Sequence, residues 1–558
     1  MDDVDAVNAQ IARTMLESGD WVTARINGVL YLEKSPLGYW LTAICYAIFG
    51  VHDWAARIPI ALGAIALMGI TASLGSWAYG PLAGFYSGLA MGTSVGLFLF
   101  TRFMIPDVLL TLAITVSFYC FLRTVIDEEE AWIYGFWGSL GAGLLLKGLL
   151  AVLVPVATVT IFLLIQRKFF SHRTWALLRP ASGIGLMLAI YLPWVTLAAW
   201  RNPPIFDFTF QSEPGVYHGF LWFYFINEHV LRFLNLRYPR DYNTVPRLPF
   251  LLLHLVWIFP WSVFLPAALF SSRDKATVRT KSLRLLVIVW IVFLLTFLSF
   301  STTQEYYSMP CYPAFAILIG AALAIGTNRW VSVGYGILIV FGVIFGVVSF
   351  ILLFMSRGVP VVGDISTALT QHPETYTLSL GHLHDLTIAS FAYLRGPLLL
   401  AAMAFVCGTL AAWYFRHCWL GPFCLAAMML VFFHAAKWAM AVFDPYLSSR
   451  PLAEAINSGP EGKLILEGHY YPASSVGFYT GLPALLLNGR ADNLVYGSAA
   501  PHVPPVFIED SELAQMWTGP QRLYLVVPAT SRPRLERLLG NLTVFASSGG
   551  KFVYTNIP

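Results

Sequence analysis

Residues 331–355 read Val331-Ser-Val-Gly-Tyr-Gly-Ile-Leu-Ile-Val-Phe-Gly-Val-Ile-Phe-Gly-Val-Val-Ser-Phe-Ile-Leu-Leu-Phe-Met355, without one charged side chain. A hydrocarbon core of about 30 Å takes roughly 20 apolar helical residues to cross, so this stretch is predicted to span a membrane. The rest of the chain follows the same pattern. Apolar residues make up 57% of the sequence and charged residues 11%, which excludes an ordinary soluble domain. The formal net charge of +4 is too small to point to nucleic acid, so membrane lipids are expected partners and nucleic acid is not.

Outward from that stretch, about twelve candidate spans are predicted on length and apolarity. They lie near 57–79, 81–101, 104–126, 131–147, 149–166, 181–200, 248–270, 284–303, 309–326, 331–355, 396–414 and 417–441. The link from Gln166 to Pro180 carries Arg167, Lys168, Arg173 and Arg179 and no acid, and the link from Ser271 to Arg284 is again basic. By the positive-inside rule both are cytoplasmic. The outside segments are then 1–56, 102–107, 201–247, 302–308, 356–395 and everything after about 443. Six cysteines, none in a CxxC pair, fall in or beside apolar runs and read as packing residues. The expected division is a first extracytoplasmic loop over 1–56, a multi-span part over 57–445, and a small α/β domain over 446–558. That last part has short strand-like runs at Lys463–Glu467 and Arg522–Pro528 and an amphipathic stretch near Ser531–Leu539.

The polar residues gather on the outside. Asp2, Asp3 and Asp5 open an amphipathic run. They read either as helix-capping acids or as carboxylates that bind a cation or take a proton. Glu33-Lys34 precedes Pro36 and an apolar stretch, as snorkelling charges do in an interfacial loop. Between Phe220 and Leu234 the apolar residues 222, 223, 226, 230, 233 and 234 suit an amphipathic helix on the membrane. Glu228 and Arg232 are four apart and suited to pair, which leaves His229 without a local partner. Asp107, Lys147 and Glu305-Tyr306-Tyr307 add ionisable groups near membrane depth, where they are costly and usually functional. Lys147 also reads as a helix end that snorkels. All of these face one compartment in the charge-based topology.

Together the motifs resemble the lipid-carrier-dependent glycosyltransferases of the GT-C fold. The resemblance is to the bacterial family related to protein O-mannosyltransferases and the lipid A aminoarabinose transferase. The matching stretches are Asp3-Val-Asp5-Ala, Met15 to Thr23, Asn27-Gly28, Tyr31-Leu-Glu33-Lys34-Ser-Pro36, Arg102 to Asp107, Leu146-Lys147-Gly148, Asn227-Glu228-His229 with Arg232-Phe233, and Ser301 to Tyr307. The resemblance implies an all-α polytopic membrane fold with a small C-terminal extracytoplasmic α/β domain. It also implies a helix ahead of the acidic motif, so a truncated start is expected.

The activity implied is transfer of a sugar from a polyprenyl-phosphate donor to a hydroxyl or phosphate of a lipid, glycan or protein acceptor, with inversion. The setting implied is the extracytoplasmic face of a bacterial cytoplasmic membrane. The resemblance makes Asp3 or Asp5 the general base and Glu33 and His229 ligands of a divalent metal cation. It makes Lys34, Lys147, Arg232 and Tyr307 donor-phosphate contacts, with Asp107, Glu228 and Glu305 as further candidates. A transporter or flippase of a lipid-linked or sugar substrate is the alternative. It would place polar groups through the bilayer midplane, whereas these gather at one face.

Overall fold

A backbone inside lipid has to satisfy its own hydrogen bonds, so the long apolar runs are helices. The computed structural model describes residues 1–239, 245–270, 277–301, 304–326, 328–370 and 381–557. Among the described residues, eight helices are long and apolar enough to cross a membrane: Asp53–Tyr79, Asp107–Ile126, His172–Arg201, Val278–Ser299, Glu305–Ala324, Arg329–Ser356, Arg395–Tyr414 and Leu420–Leu447. The protein is a multi-span membrane protein. In Arg329–Ser356 only 17% of the apolar window is buried, and Val340, Val347 and Phe350 are exposed. That face suits lipid rather than water.

Four predicted spans take other shapes. The stretch 248–270 is not one straight helix: Arg247–Trp257 and Trp261–Phe270 meet at 96°. Pro260 lies in the break, where a missing N–H and the fixed ring prevent the helix from continuing. Residues 81–101 form Pro81–Gly92 and Val95–Phe100, parted at Thr93-Ser94. There the Thr93 hydroxyl donates back to the Leu89 carbonyl at 2.6 Å. Trp132–Lys147 and Leu150–Ile165 are helices of 16 residues each, shorter than a full crossing requires.

The N-terminal 50 residues cover one end of the bundle. They comprise the helix Asp3–Ser18, a hairpin of β1 (Arg25–Ile26) and β2 (Val29–Leu30), and the helix Leu37–Phe49. The leading acids do not cap the first helix through their side chains. Asp3 and Asp5 are buried and bonded to other segments instead.

The C-terminal part carries a six-stranded sheet of order β5-β4-β3-β6-β8-β7. Its strands are β3 (Lys463–Glu467), β4 (Ala484–Leu487), β5 (Phe507–Ile508), β6 (Leu523–Pro528), β7 (Thr543–Ser548) and β8 (Lys551–Thr555). The first four run parallel; β8 is antiparallel to β6, and β7 to β8. Leu464 to Leu466 and Leu523 to Val527 are buried without alternation, as in a parallel sheet covered on both faces. The expected strands and the Arg532–Leu539 helix are where the sequence placed them.

Asp3 ties this sheet to the first helix. Its Oδ1 accepts from the Ser475 backbone N–H at 3.1 Å and hydroxyl at 2.6 Å; its Oδ2 accepts from Ser449 at 3.0 Å and from Lys551.

Candidate active site

Glu33, Lys34 and Ser35 lie in the loop between the hairpin and the helix Leu37–Phe49. Ser35 fixes that loop by donating to the Leu144 carbonyl at 3.0 Å and by a short contact with the Tyr224 hydroxyl. Lys147 ends the helix Trp132–Lys147, and Gly148 follows it at φ +71°. An L side chain is strained at that φ. A Cβ on Gly148 would also overlap His229 Nε2 and lie 2.7 Å from the Tyr224 hydroxyl.

The segment expected as an ordinary amphipathic helix is π-helical over Trp222–Leu231. Its wider turn brings the Tyr224 carbonyl to His229 Nδ1, which donates to it at 2.5 Å. The Leu149 N–H donates to His229 Nε2 at 3.2 Å. His229 therefore has two partners, both backbone groups invisible to side-chain spacing. Trp222, Phe223 and Leu231 pack inside the protein while Val230 is exposed. Such π turns recur at functional sites.

These elements enclose a cavity of about 400 Å³. Its polar end is formed by Glu33, Lys34, Lys147, Glu228, His229 and Arg232, with Tyr307 beside them. Its walls are apolar: Leu149, Leu150, Leu153, Phe233, Leu234 and Phe297. Lys34 Nζ contacts Glu33 Oε1 at 2.5 Å, and Tyr31 donates to Glu33 Oε2 at 3.2 Å. Arg232 reaches Glu228 Oε2 at 2.9 Å and Glu33 Oε1 at 3.7 Å. Arg237 holds the other Glu228 oxygen at 2.5 Å. Lys147 Nζ contacts Asp107 Oδ1 at 2.5 Å and lies 4.6 Å from the Tyr307 ring centre. Asp107 is buried, and among the described residues its Oδ2 accepts no hydrogen bond.

Burial alone would raise the Glu33 pKa, yet Lys34, Arg237 and Arg232 together hold it well below the usual carboxylate range. Burial raises Glu228 against the pull of Arg237 and Arg232. Burial lowers His229, keeping its imidazole neutral at pH 7 although the Tyr224 carbonyl opposes this. The lining thus sets Lys34, Lys147 and Arg232 against Glu33 and Glu228, an excess of one cation beside a wall of leucine and phenylalanine.

The structure gathers seven sequence candidates here: Glu33, Lys34, Lys147, Glu228, His229, Arg232 and Tyr307. Asp107 stands behind Lys147. Asp3 and Asp5 do not line this cavity, and neither does Glu305, which is buried at the start of the turn Glu305–Cys311. Thr302 and Thr303 of the matching stretch lie outside the described residues. Asp5 Oδ1 accepts from the Met104 N–H at 2.8 Å and Oδ2 from Arg57 at 2.8 Å. Sequence reading gave no role to Tyr31, Ser35, Gly148 or Arg237. Only Gly148 carried a local signal, a glycine directly after a basic residue at a helix end.

Residues 33–196 match the family model described as dolichyl-phosphate-mannose-protein mannosyltransferase. Two similar proteins are the undecaprenyl phosphate-alpha-4-amino-4-deoxy-L-arabinose arabinosyl transferases of Yersinia enterocolitica and Aeromonas salmonicida. The first is 27% identical over 323 residues, 56% of this chain and 53% of the relative. The second is 29% identical over 347 residues, 59% of each. The chain spans somewhat over half the length of these curated relatives. The crystal structure of ArnT from Cupriavidus metallidurans bound to undecaprenyl phosphate superposes with a TM-score of 0.78 at 23% identity, covering 99% of this chain and 93% of that one.

The chain has the GT-C fold and is related to these glycosyltransferases. The family match begins at Glu33 and takes in Asp107 and Lys147, but ends before the π-helix that supplies Glu228, His229 and Arg232.

Proposed function

We propose that this protein is a membrane glycosyltransferase that moves a sugar from a polyprenyl-phosphate donor to an acceptor at the extracytoplasmic face of a bacterial inner membrane. The observation that carries the reading is the two-ended cavity. A phosphate suits the end formed by Lys34, Lys147 and Arg232, and a prenyl chain suits the wall of Leu149, Leu150, Leu153, Phe233, Leu234 and Phe297. The relatives named for undecaprenyl-phosphate aminoarabinose transfer support that donor class.

In this reading the sugar–phosphate bond breaks as the acceptor oxygen attacks the anomeric carbon from the opposite side, inverting it. Charge grows on the departing polyprenyl phosphate, where Lys34, Lys147 and Arg232 stabilise it in a site partly closed to water. Glu33 and Glu228 hold the Lys34 and Arg232 head groups at the cavity, and Asp107 and the Tyr307 ring hold Lys147. The acceptor proton is assigned to Asp5 ahead of Asp3. Both carboxylates have each oxygen engaged, but Asp3 accepts four hydrogen bonds, from Ser449, Lys551 and twice from Ser475, whereas Asp5 accepts two, from Met104 and Arg57. Burial raises the Asp5 pKa against the pull of Arg57, with Asp2 adding to the rise, which makes Asp5 the stronger base once ionised.

A divalent cation belongs to the same proposal, with Glu33 and His229 as its protein ligands. The donor chemistry fits. The Nδ1–H bond to the Tyr224 carbonyl sets the tautomer that places the lone pair on Nε2, and a metal there would replace the bond that Nε2 accepts from the Leu149 N–H at 3.2 Å. Among the described residues no group of three or more His, Cys, Asp or Glu side chains forms a metal cluster, so further ligands would come from donor or water. When bound, the cation would neutralise charge on the donor phosphate.

The test is polyprenyl-phosphate release by the full-length protein in liposomes. The undecaprenyl-phosphate aminoarabinose donor is tried first, followed by hexose donors. Lys34→Ala, Lys147→Ala and Arg232→Ala should each abolish release in protein that still folds. Release at the wild-type rate in all three would sink the assignment.

A further inference from the structure

We infer a second ligand site, for a saccharide, at the end of the C-terminal sheet. The chain runs from β3 outward to β4 and β5 on one side, then returns to place β6 on the other side of β3. Parallel sheets of this kind bind ligands in the crevice outside the carboxyl ends of the strands, where the strand order reverses. Here that point lies between the ends of β3 and β6, and a cavity of about 440 Å³ opens there. It is lined by Glu467 at the end of β3, by His469, Asn488 and Asp510, and by Ser531 and Arg534 beyond the end of β6. Its volume falls within the usual range of small-molecule sites.

The polar groups are built rather than incidental. Arg534 forks between Asp510, at 2.5 Å and 2.6 Å, and Glu467 Oε1. Asn488 donates to Asp510 at 3.0 Å. The Glu467 side chain is only 8% exposed, and among the described residues its Oε2 accepts no hydrogen bond. A buried carboxylate oxygen left in that state costs free energy until a donor reaches it.

The charges decide the class of ligand. Arg534 is held by both Glu467 and Asp510, and Lys551 is paired with Asp3, so no cation is left over to attract a phosphate and both carboxylates are already engaged. What remains is a set of fixed acceptors and donors from carboxylate, guanidinium and amide groups, which suits a neutral ligand rich in hydroxyls. Lys551 also bonds Asp3 and Ser449, so the occupant lies beside the first turn of the helix that carries Asp5. This rests on the transferase reading and deepens it: the acceptor is glycan-bearing, and its sugar is held by the C-terminal sheet while its hydroxyl meets the donor.

The test is saturation-transfer NMR on the full-length chain in nanodiscs without donor, using N,N′-diacetylchitobiose, maltose and glucosamine, with inorganic phosphate in a separate arm. At least one saccharide should bind. Glu467→Gln, and Ser531→Trp at the partly exposed rim, should each weaken it by about tenfold, as loss of a buried acceptor or of cavity space predicts. The inference is overturned if no saccharide binds, if binding survives both substitutions, or if phosphate alone binds. Polyprenyl-phosphate release is measured in parallel. Release without saccharide binding removes this site and leaves the transferase reading, whereas binding without release does the reverse.

Discussion

Gly148 lies against the His229 ring so closely that a Cβ on the glycine would overlap Nε2. The contact joins the end of one membrane helix to the π-helix that supplies the other half of the cavity. Gly148→Ala is therefore expected to push His229 and the Tyr224 hydroxyl away and to strain a residue at φ +71°. Polyprenyl-phosphate release should fall about 100-fold, the usual effect of a displacement near 1 Å. Gly138→Ala in the same helix meets nothing within 4 Å among the described residues and should leave release unchanged; equal losses in both would remove the packing argument.

The partly buried Lys147 pairs with the buried Asp107, whose second carboxylate oxygen has no hydrogen bond among the described residues. Lys147→Met leaves that carboxylate without its cation and should cost about 3–5 kcal/mol, read as a lowered thermal midpoint in detergent. Adding Asp107→Asn should recover most of the midpoint but none of the release. Recovery of both would show that Lys147 acts only structurally.

How far the sequence was legible follows from the range of each signal. Eight of the twelve predicted spans and the strands β3 and β6 were readable because apolar length and β-rich runs are local. The break at Pro260 was local too, yet the apolar run across it hid a 96° bend. Glu228 and Arg232 pair at the four-residue spacing the helix pattern suggested. The His229 partners were not readable, because one is a carbonyl reached only through a π turn and the other is an amide 80 residues away. Asp3 was legible as an acid at a helix start but not as a clamp, since its partners lie more than 400 residues on.

That clamp separates the two aspartates. Asp3→Asn should weaken the bonds to Lys551, Ser449 and Ser475, costing about 1.5–3 kcal/mol as hydrogen bonds to charged groups do. Hydrogen exchange should then rise across 449–475 and β8. Asp5→Asn should leave that exchange unchanged and abolish release. The opposite pattern would hand the base to Asp3.

Asp5 also carries a pH signature. Its pKa is raised in the folded protein, chiefly by burial. Its contribution to stability is therefore complete below the ordinary value of about 3.9 and is lost as pH rises through the folded value. Relative to Asp5→Asn, the wild-type thermal midpoint should be higher at low pH and lose ground as pH rises. An unchanging difference would contradict the raised pKa.

The cation is tested by removing it. Glu33 is already held ionised by Lys34, Arg237 and Arg232, so it needs no metal to stay charged, and the fold should survive chelation. His229 keeps its Nδ1–H on the Tyr224 carbonyl, and chelation leaves its tautomer intact. Treatment with EDTA should therefore abolish release while leaving the protein folded, and any fall in the thermal midpoint reports how far the cation occupied the folded state. Added divalent ion should restore release in the wild type but not in His229→Ala or Glu33→Gln. Full activity in EDTA would leave Lys34, Lys147 and Arg232 to neutralise the leaving phosphate by themselves, and Glu33 would then serve only to hold Lys34 and Arg232 in place.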